Sequence, residues 1–202
     1  MRRMNYSRGF TLYELMIVLA LAGLILGLGA PSFNEFRRNN RLTGTGNDFL
    51  GALLMARTEA IKRQQPVSLC ASDNASAAAA TCSDGAFNGW IVFEDLNGSC
   101  TRDGGEMLLR GQGPIEKQLK PKATGSCVPF AATGFVTPRA GDPADGVQRV
   151  LFCDERGIAA QTGTTQSAAR GLMVTRTGRA RITRDITSGT DTDVTRWAIG
   201  CP

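Results

Sequence analysis

Between Phe10 and Ala30 the chain carries a single carboxylate, Glu14, in an otherwise apolar run. At about 1.5 Å of helical rise per residue, this segment matches the roughly 30 Å hydrocarbon core of a bilayer. A short basic peptide with Arg2, Arg3 and Arg8 precedes it and ends at Gly9. A secretory signal has the opposite order, with its small-residue cleavage site after the apolar region. An ordinary membrane anchor accounts for the length and the positive flank, but not for Glu14. Carboxylates are expensive in lipid and as a rule have a partner there.

Composition narrows the chemistry. The formal charge is +5, but Arg2, Arg3 and Arg8 belong to the leading peptide, so the remaining side chains carry +2. Charge distribution says more. From Pro31 to Arg63 there are six Arg or Lys against three acids, from Gln64 to Ala169 eight against eleven, and from Arg170 to Pro202 six against three. The carboxyl-terminal block is therefore basic, and all its cations are arginine. There is no histidine, which removes the commonest general base and the commonest metal ligand. No SxxK, GxSxG, GxGxxG or Walker-type loop occurs in a fitting context. The expected protein is not an enzyme and has no cofactor and no metal site. Asp95-Leu96-Asn97-Gly98 lacks the spaced oxygens and distal glutamate of a calcium loop, and is read as a turn.

Six cysteines, Cys70, Cys82, Cys100, Cys127, Cys153 and Cys201, form an even set without a CxxC pair. In an exported chain such a set implies disulfides. Fifteen pairings are open on sequence alone. Sequential pairing has a local rationale: Cys70 and Cys82 bracket an Ala/Ser loop, Cys100 and Cys127 bracket a Gly/Pro-rich segment, and Cys201 ties the tail to Cys153.

Pro31 should kink the apolar helix without ending it. Beyond it, Phe33, Phe36, Phe49, Leu50, Leu53, Leu54 and Ile61 recur at helical spacing, while Arg37, Arg38, Arg41, Arg57, Lys62 and Arg63 take other positions. This is an amphipathic stem that Gly44 and Gly46 weaken and Pro66 stops. Short β-rich runs follow, at Val67–Cys70, Trp90–Glu94, Met107–Arg110, Gly134–Thr137, Arg149–Cys153, Leu172–Thr175, Arg179–Thr183 and Arg196–Ile199. Asp73–Ala80 and Gly157–Arg170 read as loops. The fold class expected is α+β: a long N-terminal hydrophobic helix packed on an antiparallel β-rich head. Its parts are a leader at 1–9, a helix and stem at 10–63, and a head at 64–202 with a C-terminal basic hairpin.

Gly9-Phe10-Thr11-Leu12-Tyr13-Glu14 and the helix behind it resemble the class III signal of type IV pilins and type II secretion pseudopilins. Asn88-Gly89-Trp90-Ile91-Val92-Phe93 followed by Asp95-Leu96-Asn97-Gly98, and later Val150-Leu151-Phe152-Cys153-Asp154-Glu155-Arg156-Gly157, resemble pieces of the FimT/GspH-type (FimU-like) minor pilin head. The resemblance implies cleavage between Gly9 and Phe10 by a prepilin peptidase, and methylation of the new amino terminus. It implies that Glu14 meets the positive terminus of a neighbouring subunit during assembly. Tyr13 departs from the usual small or valine-like residue, which leaves the local packing open. The implied partners are other major and minor pilins through the helix, the assembly machinery, and the inner membrane before assembly. The head would be periplasmic, then extracellular in the pilus.

Two strands joined by a turn at Arg176–Gly178 are expected between Gly171 and Arg184. Period-two alternation puts Arg179, Arg181 and Thr183 on one face, with Ala180 and Ile182 on the other. Arginines roughly 6.6 Å apart suit successive phosphates, although they also protect an edge strand from aggregation. Gly178-Arg179-Ala180-Arg181 resembles the GRxR element associated with DNA binding in natural transformation in the FimT branch. On this reading DNA contacts Arg179, Arg181 and Gly178, with Arg176 and Arg184 in support. The alternative is a structural tip or priming minor pilin, or a secretion pseudopilin, without DNA binding.

Cleavage after Gly9 predicts that mass spectrometry of the assembled protein finds a methylated Phe10 as its first residue. An intact Met1, or cleavage beyond Ala30, is incompatible with the class III signal.

Overall fold

The computed structural model describes residues 9–158, 164, 166–185 and 201, with only the backbone given at 28–32. It is an α+β protein: among the described residues one helix, α1 (Leu12–Arg63), precedes eight strands. Contacts divide the chain into two units, Met1–Asn40 and Arg41–Pro202. In the first, α1 opens on a reciprocal cap. The Glu14 amide donates to Thr11 Oγ1 (3.2 Å), while the Thr11 amide (3.0 Å) and hydroxyl (3.1 Å) donate to Glu14 Oε2. Thr-x-x-Glu is a capping box, which satisfies amides that the first helical turn otherwise leaves orphaned. The helix continues through Pro31, Gly44 and Gly46. It stops where Gln64 takes a left-handed φ of 56° ahead of Pro66.

In the second unit, β1 (Val67–Ala71), β2 (Trp90–Glu94), β3 (Leu108–Gln112) and β5 (Cys127–Phe130) form one antiparallel sheet in the order β3-β2-β1-β5. The other sheet, β4-β6-β7-β8, contains β4 (Lys120–Ala123), β6 (Gln148–Cys153), β7 (Gln166–Val174) and β8 (Ala180–Asp185). One core joins both sheets to the helix through Leu42, Phe49, Leu53 and Ala56 from α1, Val67, Leu69 and Val92 from the first sheet, and Val150, Phe152 and Leu172 from the second. Phe49 is its hub, with ring centroids 4.9 Å from Phe87, 5.1 Å from Trp90 and 5.5 Å from Phe152, all edge-on. Such geometry is worth more than its buried area alone.

The far faces of the sheets are covered too. Cys70, Ile91 and Phe93 cluster with Ala75, Ala80, Cys100 and Cys127 over the first sheet, and Leu151, Cys153, Ala169 and Met173 cluster with Val147, Ile158 and Cys201 over the second. The disulfides are Cys70–Cys82, Cys100–Cys127 and Cys153–Cys201, so each one fastens a covering segment to a strand or a strand to its neighbouring loop. Burial on both faces explains why Trp90–Phe93 and Val150–Cys153 are continuous apolar runs rather than alternating ones.

Some strand boundaries differ from the sequence reading. Gly134–Thr137 is not a strand; Val136 only bridges Phe130. β4 and β5 were missed because they contain Pro121 and Pro129. Both lie at a sheet edge, where a missing amide is tolerated. The expected Gly157–Arg170 loop gives way to β7 from Gln166. The strand expected at Arg196–Ile199 lies outside the described residues. Phe49→Ala is expected to cost about 3–5 kcal/mol, measured by urea unfolding. A loss below about 1 kcal/mol would deny Phe49 its central place.

Candidate nucleic-acid interface

β7 and β8 form the expected hairpin, with Met173 opposite Arg181 and Leu172 opposite Ile182. Leu172 and Val174 point into the shared core and Ala180 and Ile182 pack against it. Met173 and Arg181 therefore point the other way, and Arg181 Nε lies 2.9 Å from Met173 Sδ. Arg176, Arg179 and Arg181 are exposed. Arg184 is placed differently. It follows the parity of Ala180 and Ile182, is only partly exposed, and donates from Nε to the Ser167 carbonyl at 3.0 Å. The structure thus separates Arg184 from the face that carries Arg179 and Arg181.

Gly178 is buried. Its φ is +74°, and a Cβ there would lie 2.1 Å from the Gly134 carbonyl oxygen and 3.0 Å from Arg57 Nε. Glycine is required because the β7–β8 turn seats on a second turn, Ala131–Gly134. The Gly178 amide donates to Thr175 O, the Gly134 amide to Ala131 O, and the Val136 amide to Arg176 O, at 2.8, 2.8 and 2.9 Å. Gly178 is thus a packing residue of the motif, and its neighbours hold the cations. Arg176 lies across Gly146, whose φ is +66° and whose Cβ would fall 1.8 Å from Arg176 Nε.

The stacked turns enclose Arg57 of α1, which the helical pattern had placed only among polar stem positions. Its Nε is buried without a hydrogen-bond partner. Among the described residues none of Arg57, Arg176, Arg179 and Arg181 forms an ion pair, whereas Arg41, Arg63, Arg149 and Arg156 pair with Glu116, Glu59 and Glu94, Asp145, and Asp154 respectively. The signal for Arg57 was tertiary: it needed the Gly134 and Gly178 turns to be brought onto the stem.

Arg170 was also missed. It is 6% exposed and stands opposite Phe152 in β6. Its Nη2 donates to Thr43 Oγ1 of α1 at 2.9 Å and its Nη1 to Ala168 O at 2.7 Å. Burial, then the charges of Arg184 and Arg156, push its pKa down to about 10. It stays charged at neutral pH and joins the second sheet to the helix.

The family model for the type II transport protein GspH matches residues 45–178, and that for the prokaryotic N-terminal methylation motif matches residues 4–30. The first spans well over half of the chain, which belongs to the GspH family. It is a minor type IV pilin or pseudopilin, a structural subunit by class. The pilin-like protein PilA1 of Thermus thermophilus is 29% identical over 185 residues, covering 87% of this chain and 97% of PilA1. The crystal structure of the type IV minor pilin FimU of Pseudomonas aeruginosa shares the fold, with a TM-score of 0.50 and 18% identity over 78% of this chain and 98% of FimU.

Gly178→Ala is expected to destabilise the head by about 1–3 kcal/mol, since it meets both an unfavourable φ and the Gly134 carbonyl. Arg179→Gln, at an exposed position, should stay within about 0.5 kcal/mol. Equal thermal stability for the two variants would contradict the seating of the turn.

Proposed function

We propose that this chain is a minor pilin of a type IV pilus that contacts DNA through its C-terminal arginine hairpin, for uptake in natural transformation. The observation that carries the reading is a set of arginines that form no ion pair among the described residues: Arg179 and Arg181 on one face of the hairpin, Arg176 in its turn, and Arg57 beside Gly178. Arginines that form no ion pair can take phosphate by bidentate, charge-assisted hydrogen bonds, which read no sequence.

The remaining assignments follow the methylation-motif match. A prepilin peptidase cleaves between Gly9 and Phe10, and the chain is held in the inner membrane by its apolar helix with the head in the periplasm. The assembly machinery then moves it into the fibre, where Glu14 pairs with the amino terminus of a neighbouring pilin. A buried carboxylate and a buried ammonium each cost several kcal/mol unless they meet. Among the described residues no helix is long and apolar enough to cross a membrane. The apolar run from Phe10 to Ala30 in the sequence is what supplies the length of the anchor.

A structural tip subunit or secretion pseudopilin is the second reading, favoured by the position of β8 at the edge of its sheet, where outward arginines discourage strand pairing. DNA binding by the detergent-solubilised full chain separates the two. Arg179→Gln with Arg181→Gln should weaken binding at low salt and flatten the slope of log affinity against log salt by about two units. Arg57→Gln should remove about one more. Arg37→Gln with Arg38→Gln, in the other unit, should change neither. If the Arg179/Arg181 pair leaves affinity and slope at wild-type values in a folded protein, the structural reading stands.

A further inference from the structure

The loop from β2 to β3 was set aside as a turn on its first four residues, Asp95 to Gly98. Followed to its end, it supplies what those four lack. Oxygen-bearing groups occupy the first, third, fifth, seventh, ninth and twelfth positions of a calcium loop. They are the side chains of Asp95, Asn97, Ser99, Asp103 and Glu106, and the carbonyl of Thr101. At the sixth position, where such loops use glycine for a sharp turn, Cys100 takes a left-handed φ of 58°. Its disulfide to Cys127 fastens this residue to β5.

A separate observation points to a cation. Asp95 is fully buried. Its Oδ2 accepts from the Cys100 amide (3.0 Å), which places the carboxylate inside the loop, and from Ser68 Oγ (2.5 Å). Its Oδ1 is buried with no hydrogen-bond partner. Glu106 is 6% exposed and accepts from the amides of Leu96 and Asp103, both at 2.9 Å. Among the described residues neither of these acids, nor Asp103, forms an ion pair. Two buried carboxylates without a cation are costly, and a divalent ion within the loop removes that cost.

We propose that the β2–β3 loop, Asp95 to Glu106, is a calcium site. All its donors are oxygen, which suits a hard cation, and an irregular loop with a mixed donor set favours calcium over the strict octahedron of magnesium. Among the described residues no three His, Cys, Asp or Glu side chains are grouped for a metal by themselves. The set here adds amide, hydroxyl and carbonyl oxygens to three carboxylates, and Glu106 turns from the Leu96 and Asp103 amides to present both of its oxygens. Asn97 Nδ2 donates to Asp103 Oδ2 at 2.8 Å, so the third and ninth positions already face each other.

The test is thermal unfolding and calorimetric titration of the detergent-solubilised full chain in EGTA, CaCl2 or MgCl2. Calcium at a hundredfold excess over its dissociation constant should raise Tm by about 5–10 °C, with one ion bound and a much smaller response to magnesium. Glu106→Gln and Asp103→Asn should each lower calcium affinity at least about tenfold. Asp103 is exposed, so its variant should keep the wild-type Tm in EGTA and remain informative if Glu106→Gln fails to fold. No calcium-dependent shift up to about 10 mM, well above the range of extracellular modules, would overturn the proposal. So would wild-type calcium affinity in Asp103→Asn, which would place the ion elsewhere.

Discussion

Everything in the head depends on the apolar face of α1 between Leu42 and Ala60, which two sheets share as a common wall. Ala52, Ala56 and Ala60 are fully buried there, and their small side chains let strands approach the helix closely. Phe49 fills the space between the sheets by touching Phe87, Trp90 and Phe152 together. Buried apolar area, at about 25 cal/mol per Å², holds these layers, and polar contacts set their alignment. Arg63 does so at the helix end, reaching Glu59 and Glu94 at 2.6 Å each, and Arg170 does so from the second sheet through Thr43.

The same wall assembles the arginine cluster. Arg57 lies one residue from Ala56, on the rim of the buried face, so the turns that seat against the helix close around its side chain. Two glycines make the approach possible, Gly134 with φ +77° and Gly178 with φ +74°. Fold and candidate interface are therefore not separable here. The glycine in the motif positions a turn on the stem, and that seating brings a helix cation beside the hairpin turn.

The sequence made the helix, its end before Pro66, six of the eight strands among the described residues and the hairpin at Arg176–Gly178 legible, because periodicity and turn residues are local signals. The strands around Pro121 and Pro129 were illegible because their tolerance of proline comes from lying at sheet edges, a fact of topology. Arg184 is a supporting cation by charge alone, since period-two alternation puts it on the face opposite Arg179 and Arg181. Arg57 and Arg170 depend on contacts with residues far away in the chain. In the β2–β3 loop the oxygen spacing is local and plain in the sequence, whereas the burial of Asp95 and its unpartnered Oδ1 are tertiary facts.

The three disulfides lie on the outer faces of the sheets, away from the wall shared with the helix. Reduction would therefore loosen the coverings before the centre. Ile91 and Phe93 on one side, and Leu151 and Met173 on the other, would become accessible while the Phe49 cluster remained closed. A head that missed oxidation would thus fail first as a colloid: sticky, folded at its centre, and prone to associate through two new apolar surfaces. Oxidation of this chain belongs before its entry into a crowded fibre, since the bonds guard the protein's solubility as much as its fold.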